Sequence, residues 1–427
     1  MTHETSVDVI HAPNLSVKAL LSYGLFGLPL AMVAMPVYVQ APALYAGSFG
    51  LSLTLVGTIL LVARLLDAFS DPLIGYWMDR SSTTRGYAGF VLMSLPLLVM
   101  GYLALFHPPT IIANDIAALS AWFAGSLGLV YLGFSLATIA HNSWGASLTQ
   151  LRGERARLTA FREGFGLIGV MIAAAVPALA GMNMLSITFV IALAITAWLL
   201  IRYAPRAQTI ATVSDDWRAL IVPLQSTKFR WLLSVFAISG IAAAIPATLF
   251  LFFATDRLQL APYAGLFLVI YFAAAALALP LWATLSKRIG EARAWLLSML
   301  LSVLVFIWAW QLDAGALYSF AVICIFSGAA LGADLALPPA LLAGVIGSAG
   351  HSGQREGAYF GLWNWMTKMN LALAAGIALP LLDYLGYTPG RPTEHGLVAL
   401  GITYALLPCA LKLAAAALLW RAPLREV

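Results

Sequence analysis

Charged residues are scarce in this chain. Only 10% of its 427 residues are Asp, Glu, Lys or Arg, whereas 62% are hydrophobic. A soluble domain carries about 25% charged residues, so this shortage argues against a soluble globular protein. The apolar runs of about 18 or more residues that recur along the chain predict a polytopic helical membrane protein instead.

Cysteine is equally scarce. The chain has two, Cys324 and Cys409, and both lie in apolar runs, so neither a disulfide nor a thiolate metal site is implied. A signal peptide is also not indicated. The first apolar run, after Lys18, is too long for a signal-peptide core and lacks a clear small-residue cleavage site, so we expect it to remain as the first helix.

The apolar runs predict an all-α polytopic membrane protein with 12 transmembrane helices. The longest hydrophilic break, from Arg202 to Arg230, divides it into two six-helix bundles, residues 1–203 and 229–427, joined by a cytoplasmic linker at 204–228. The predicted helices are 17–40, 52–78, 87–106, 117–143, 158–180, 185–203, 229–254, 261–285, 294–311, 315–343, 356–380 and 396–420.

The placement of Lys and Arg predicts the orientation. Of the 23 such residues, four lie in the interior of predicted helices and two, Arg257 and Arg391, lie in loops on one side. The remaining 17 lie in loops and at helix ends on the other side, which the positive-inside rule assigns to the cytoplasm. We therefore expect a bacterial-type inner membrane protein, surrounded by lipid, with both termini cytoplasmic. The net charge of +5 then reflects topology rather than nucleic-acid binding.

A repeat with a period of 208 residues relates the two halves. In each half a proline precedes a charged pair by seven residues, and an arginine follows five residues after that pair's Arg: Pro72, Asp79, Arg80 and Arg85 match Pro280, Lys287, Arg288 and Arg293. Duplication of a six-helix unit is typical of transporters that rock two bundles around a central site.

Three charged residues share one face of the second predicted helix. Arg64, Asp67 and Asp71 are spaced by three and four residues, which aligns them on a helix. A charge at the centre of a membrane helix costs about 2.5–3.5 kcal/mol, so these side chains should face protein or water. The repeat mates of the aspartates are Ala275 and Leu279. Because the scaffold does not require carboxylates there, the pair indicates a single cation or proton site in the N-terminal bundle.

The loop from Gly75 to Gly86 resembles the G-x-x-x-D-R-x-x-x-x-R loop between helices 2 and 3 of the major facilitator superfamily. In that superfamily the loop caps neighbouring helix ends and steadies one conformation of the cycle. The resemblance implies that Asp79, Arg80 and Arg85 act in gating rather than as ligands.

Three further segments resemble the glycoside–pentoside–hexuronide:cation symporters, the melibiose permease-like group of that superfamily. The first, from Gly57 to Pro72, is similar to the R-x-x-D-A-x-x-D-P motif of helix 2. The others are Trp144-Gly145-Ala146 with Glu154-Arg155 and Arg162, and Arg355-Glu356-Gly357-Ala358-Tyr359-Phe360 with Lys368.

The resemblance implies a role for the aspartate pair. Asp67 and Asp71 match the cation-coordinating aspartates of the group, with Ser70 or Thr138 as further oxygen donors. A hard cation requires several oxygens, and a proton could instead be carried by one carboxylate of a close pair. Both Na⁺ and H⁺ stay open as the coupling ion. No other cofactor and no further metal is expected.

The candidate substrate-binding residues are Lys368, Arg162, Trp144, Asp334 and Trp363. A buried lysine needs a partner, and for Lys368 this could be Asp334 or an anionic group of the substrate. The sugar-transporting members carry acidic residues at the positions that Pro29 and Ala140 match in this chain. Losing these acids while keeping Lys368 and Arg162 favours an anionic or zwitterionic substrate.

These observations predict a monomeric Na⁺- or H⁺-coupled symporter that imports a small organic solute by alternating access. The solute is a sugar derivative, a glycoside or an amphipathic anion. Two alternatives stay open: an aspartate-dependent intramembrane enzyme of the prenyltransferase kind, and a non-transporting sensor with a transporter fold. The enzyme is disfavoured because no second aspartate-rich loop is present.

Overall fold

The computed structural model describes residues 15–148, 152–205, 222–351 and 356–424, without the side chains of residues 76, 79–85, 146, 147, 152–156, 356 and 357. Its α-helices are α1 (Val17–Gly24), α2 (Gly27–Pro42), α3 (Leu53–Phe106), α4 (Ile116–Leu148), α5 (Arg152–Tyr203), α6 (Thr227–Phe252), α7 (Ala264–Ile289), α8 (Glu291–Phe306), α9 (Leu317–Ser348), α10 (Glu356–Tyr384), α11 (Glu394–Gly401) and α12 (Leu407–Arg421).

In the described part of the chain, 11 segments are long and apolar enough to cross a membrane. One of them, Arg157–Tyr203, has 47 residues, which as a straight helix would be about 70 Å long against a hydrocarbon core of about 30 Å. Gly181 interrupts it with φ 81° and ψ 170°, so it makes two passes. The predicted all-α fold is confirmed, and a count of twelve passes is compatible with it.

The long helices α3 and α5 each bend sharply at a glycine. In α3 the backbone leaves helical geometry at Gly86, with φ 60° and ψ 168°, between the predicted second and third passes. The predicted first pass is instead divided near Leu25 into α1 and α2.

Four of the helices begin with a hydroxyl side chain that accepts a backbone N–H: Ser16, Ser52, Ser226 and Thr393.

We call α1–α5 the N-terminal bundle and α6–α12 the C-terminal bundle, following the division predicted from the sequence. The first pass of each ends in a π turn, Ala43–Ser48 in one and Phe253–Arg257 in the other. The same backbone hydrogen bond closes both turns 209 residues apart: Phe49 N to Leu44 O at 3.1 Å, and Leu258 N to Phe253 O at 3.0 Å. The repeat seen in the sequence therefore extends to the backbone.

We call the end of the helices at which Pro205 and Val222 lie the linker end, and the opposite end the far end. One hydrophobic core runs through the N-terminal bundle and continues into the C-terminal bundle through residues such as Ile245, Phe253 and Leu379. A separate core, around Phe229, Trp295 and others, occupies the linker end of the C-terminal bundle. Apolar packing between the bundles is therefore concentrated away from the linker end.

Two contacts close the far end across the bundles. Gly265 of α7 lies so near α5 that an added Cβ would be 2.5 Å from Ala178 Cβ and 2.7 Å from Ala174 O. The Asp383 carboxylate at the end of α10 accepts the backbone N–H of Thr54 at 3.1 Å, and so caps α3 of the other bundle. These two contacts hold the bundles together at the far end of the described structure.

Gly265→Ala should weaken this closure. The added methyl group must push α5 and α7 apart, and such overpacking costs about 1–3 kcal/mol, enough to favour the far-end-open state about 5- to 150-fold. Spin labels at Ala113 and Ala314 should report longer distances by double electron–electron resonance.

Gly125→Ala in α4 is the matched control, because nothing lies within 4 Å of a Cβ at that position. Equal distance distributions in the Gly265→Ala variant and the unmodified protein would show that the α5–α7 contact does not limit opening.

Candidate functional site

The Lys368 side chain on α10 joins the predicted aspartate pair across the two bundles. Its ammonium lies 2.9 Å from Asp67 Oδ2 and forms a still closer ion pair with Asp71 Oδ2. It also donates to Ser135 Oγ of α4 at 3.1 Å. One ammonium thus holds both carboxylates and ties α3, α4 and α10 together.

Asp67 is the more enclosed member of the pair, with 1% of its side chain exposed against 27% for Asp71. Besides Lys368, it accepts from Ser135 Oγ at 2.6 Å and lies 3.4 Å from an Arg64 guanidinium nitrogen. The Arg64 guanidinium in turn lies 4.4 Å from the centre of the Tyr131 ring. Burial of this carboxylate is therefore offset by three donors.

Asp71 is less completely satisfied. Its Oδ1 atom is buried and makes no hydrogen bond within the described part of the chain. The next residue, Pro72, has no N–H, so the carbonyl of Ala68 lacks its usual helical donor. Oxygen atoms with unused lone pairs at this point of α3 are suited to binding a cation.

The cluster is electrically neutral as it stands. Arg64 and Lys368 carry two positive charges, and Asp67 and Asp71 carry two negative ones. In a low-dielectric site an added Na⁺ or H⁺ competes directly with the Lys368 ammonium for the carboxylates. Binding of one such cation, whether Na⁺ beside a carboxylate or H⁺ on it, raises the net charge of the cluster to +1 and weakens the attraction between the carboxylates and Lys368.

The other two predicted oxygen donors differ in their contacts. Ser70 Oγ donates to the backbone oxygen of Asp67 at 2.9 Å. Thr138 Oγ1, one turn along α4 from Ser135, is buried and has no hydrogen-bond partner among the described residues. The Thr138 hydroxyl is therefore free to bind a ligand, whereas that of Ser70 is engaged in its own helix.

The idea that Asp334 neutralises Lys368 is wrong. Asp334 Oδ2 of α9 pairs with Lys412 of α12 at 2.5 Å, and its Oδ1 accepts from Trp295 Nε1 at 2.7 Å. Trp363, also predicted to contact substrate, is 6% exposed and stacks on Phe236 with ring centres 3.7 Å apart. Both residues lie within the C-terminal bundle, in a group distinct from the Lys368 cluster.

Arg162 and Trp144 lie toward the linker end of the N-terminal bundle. Arg162 forms an ion pair with Glu163 at 2.6 Å and a close hydrogen bond to Asn142 Oδ1. Trp144 is buried and donates through Nε1 to the backbone oxygen of Pro205 at 2.9 Å. The structure does not bring either residue into the contacts around Lys368.

The gating side chains Asp79, Arg80 and Arg85 lie outside the described residues. Their repeat mates are described: Lys287 and Arg288 are exposed in the last turn of α7, and Arg293 is exposed near the start of α8. The gating role stays a prediction.

Ser135 is the one member of the cluster that the sequence did not suggest. It contacts both Asp67 and Lys368, at 2.6 and 3.1 Å. The signal was its position three residues before Thr138, on the same face of a helix already chosen for an oxygen donor.

Comparisons with known proteins agree with this geometry. The family model described as MFS/sugar transport protein matches residues 20–426. The glucuronide carrier protein homolog of Escherichia coli (strain K12) is 25% identical over 419 residues, which cover 90% of this chain and 87% of that protein. The isoprimeverose transporter of Lactiplantibacillus pentosus is 29% identical over 130 residues, 30% of this chain and 26% of that one.

Solved structures show the same fold at lower identity. The nucleoside transporter NupG superposes with a TM-score of 0.68 at 12% identity, over 95% of this chain and 99% of that one. A bacterial homologue of the iron transporter ferroportin, in an inward-facing state, gives 0.67 at 16% identity with the same coverage.

The family match and the relatives are transporters, so the intramembrane-enzyme alternative is wrong. Because the family model spans nearly all of it, the chain belongs to the MFS/sugar transport family of membrane proteins, among transporters of the glycoside–pentoside–hexuronide:cation symporter type.

Proposed function

We propose that this protein is a cation-coupled symporter that imports a small organic solute by alternating access. Lys368 carries the proposal: its ammonium sits between Asp67 and Asp71, in the place that a coupling cation would take. Since Lys368 belongs to one bundle and the aspartates to the other, cation binding acts directly on a contact between the two moving parts.

The coupling follows from charge balance. A bound Na⁺ or H⁺ replaces the Lys368 ammonium, and the freed ammonium then needs another counter-charge inside the protein. An anionic group on the solute can supply it. Cation and solute therefore bind better together than either does alone, as symport requires.

We propose a glycoside or other sugar derivative as the solute, with an amphipathic anion as the other candidate. Relatives named for glucuronide and isoprimeverose transport and for glycoside/cation symport favour the sugar class. The positive charge released at Lys368 favours members with a carboxylate. Both bundles that form the site come from one chain, so a monomer is sufficient for transport.

The linker end is assigned to the cytoplasm of a bacterial inner membrane, because most Lys and Arg residues of the loops lie on that side. The far end, closed by Gly265 and Asp383, then faces outward. In this orientation the bundles of the described conformation are in contact on the outer side.

Uptake into proteoliposomes containing the whole chain tests the function. Labelled methyl β-D-glucuronide and methyl β-D-glucoside should each be offered with an inward Na⁺ gradient, an inward H⁺ gradient, or neither. Accumulation above equilibrium should occur with one gradient and vanish when an ionophore removes it. Uptake that stops at equilibrium under every gradient would show that the protein is a facilitator and not a symporter.

The charge of the solute is tested by competition in the same vesicles. The glucuronide and the glucoside differ only at C6. A carboxylate that binds near Lys368 should therefore make the glucuronide compete about tenfold better, which corresponds to about 1.4 kcal/mol of binding free energy. Better competition by the neutral glucoside would exclude an anionic preference.

A further inference from the structure

A cavity of about 100 Å³ lies inside the C-terminal bundle, apart from the Lys368 cluster. Its walls come from α6, α7, α8, α9 and α12, and from Tyr38 of α2 in the other bundle. A third of the lining residues are aromatic, among them Phe250, Phe267, Phe272, Phe306 and Phe320. Walls of this kind bind the apolar faces of rings.

The Asp334–Lys412 ion pair lies in the wall of this cavity. Lys412 also donates to Ser239 Oγ at 2.9 Å, and Trp295 donates to the other oxygen of Asp334. An ammonium has three donors and a carboxylate about four acceptor sites, so the pair can still bind a ligand through both members. The pair is net neutral, so a charged ligand group would find no counter-charge here.

Three phenols complete the polar part of the wall. Tyr38, Tyr271 and Tyr404 all line the cavity, and no hydrogen bond of their hydroxyl groups is found in the described part of the chain. Each hydroxyl can donate one hydrogen bond and accept others. An apolar occupant would leave these three hydroxyl groups without a hydrogen bond, at a cost of about 1–3 kcal/mol for each.

We propose that this cavity binds the hydroxylated ring of the transported solute, a proposal that rests on the symport function above. Adjacent ring hydroxyls donate to Asp334 and accept from Lys412, while the C–H faces of the ring pack against the phenylalanines. Three phenols, one acceptor and one donor within an aromatic wall match a sugar ring. A carboxylate on the solute then lies outside the cavity.

Tyr38 joins this site to the coupling site. Besides the cavity wall, it lines a small space next to Arg64 and Tyr131 of the N-terminal bundle. A ring bound in the cavity therefore contacts a residue that also neighbours the Asp67 cluster. The solute site in the C-terminal bundle and the cation site in the N-terminal bundle therefore both lie next to α2, the helix that carries Tyr38.

The two cysteines of the chain provide the test, because Cys324 and Cys409 both line the cavity and both are free thiols. The purified full chain, in detergent and without any gradient, is treated with methyl methanethiosulfonate, which converts a cysteine thiol to a methyl disulfide and releases methanesulfinate. The modification is followed by mass spectrometry. The protecting probes are the methyl β-D-glycosides of glucose, galactose, xylose and glucuronic acid. At about ten times its Kd, a bound glycoside should slow modification of both cysteines about 10-fold.

A cavity-filling variant provides a second measurement that does not depend on thiol access. Ala247→Phe places a ring in the cavity wall and should weaken glycoside binding at least tenfold by calorimetry. Leu277→Phe on α7 is the matched control, since Leu277 is 75% exposed on the outer surface. Absence of protection by every glycoside, or equal affinity in the Ala247→Phe variant, overturns the proposal.

The outcomes separate this site from the coupling mechanism. Suppose that uptake follows the gradient, but the cysteines are not protected and Ala247→Phe binds glycosides normally. This result would support the symport function and contradict the cavity as the site of the ring. Protection of both cysteines without cation-dependent uptake would keep the ring site and remove the coupling. Both results together support the full scheme.

Discussion

Asp71→Asn should abolish cation-driven accumulation while leaving solute exchange across the membrane measurable. The substitution keeps the shape of the side chain but removes one of the two charges that hold Lys368, and losing a partner of a buried ion pair costs about 3–5 kcal/mol. A cation that loses the Asp71 carboxylate loses an interaction of similar size, so its binding should weaken about 10²- to 10⁴-fold. Asp67→Asn should have the same effect and also lower stability, because Arg64 and Lys368 both contact that carboxylate.

The comparison is between uphill uptake and exchange in the same proteoliposomes. Asp313→Asn is the matched control: it also loses an ion pair, with Arg257, but its side chain is 87% exposed. Such surface pairs contribute about 0–1 kcal/mol, so uptake should not change. Normal uphill transport by the Asp67→Asn/Asp71→Asn double variant would contradict the cation site.

Lys368→Met should make the protein depend on the coupling cation for its stability. Without the ammonium, two carboxylates are left close together in a low-dielectric site with only Arg64 to balance them. The Tm should therefore fall in cation-free buffer. It should rise on adding Na⁺ at constant ionic strength, or on lowering the pH, by more than the Tm of the unmodified protein does. Which of the two additions restores stability identifies the coupling ion.

Lys412→Met is the control for this measurement. Lys412 is buried and ion-paired too, but with the single carboxylate of Asp334. We expect it to lower the Tm without creating a Na⁺ response, because one carboxylate does not provide a pair. An identical Na⁺ response in both variants would mean that the Asp67–Asp71 pair is not selective for the cation.

The fold was largely predictable because lipid imposes simple rules on sequence. Runs of apolar residues specify the membrane passes, and even the break at Gly181 fell between two predicted helices, 158–180 and 185–203. The division at Leu25 and the π turn at Ala43–Ser48 were missed. Both lie within one uninterrupted apolar run, where hydropathy carries no information about local hydrogen bonding.

The candidate site was predictable only within single helices. Asp67 and Asp71 share a face by their spacing, whereas their contact with Lys368 spans about 300 residues and depends on how the bundles pack. Asp334 was assigned to the wrong lysine for the same reason. A lysine in a membrane helix can extend its long side chain to the membrane surface, yet Lys412 is buried against Asp334.

Asp383 stabilises the N-terminus of α3 only while the bundles are in contact at the far end, since the two belong to different bundles. When the bundles part there, the first turn of α3 has no acidic residue of its own to balance its partial positive charge. The capping contact of Asp383 therefore stabilises the closed arrangement alone, and opening of this end must replace it by hydration of the exposed N–H groups.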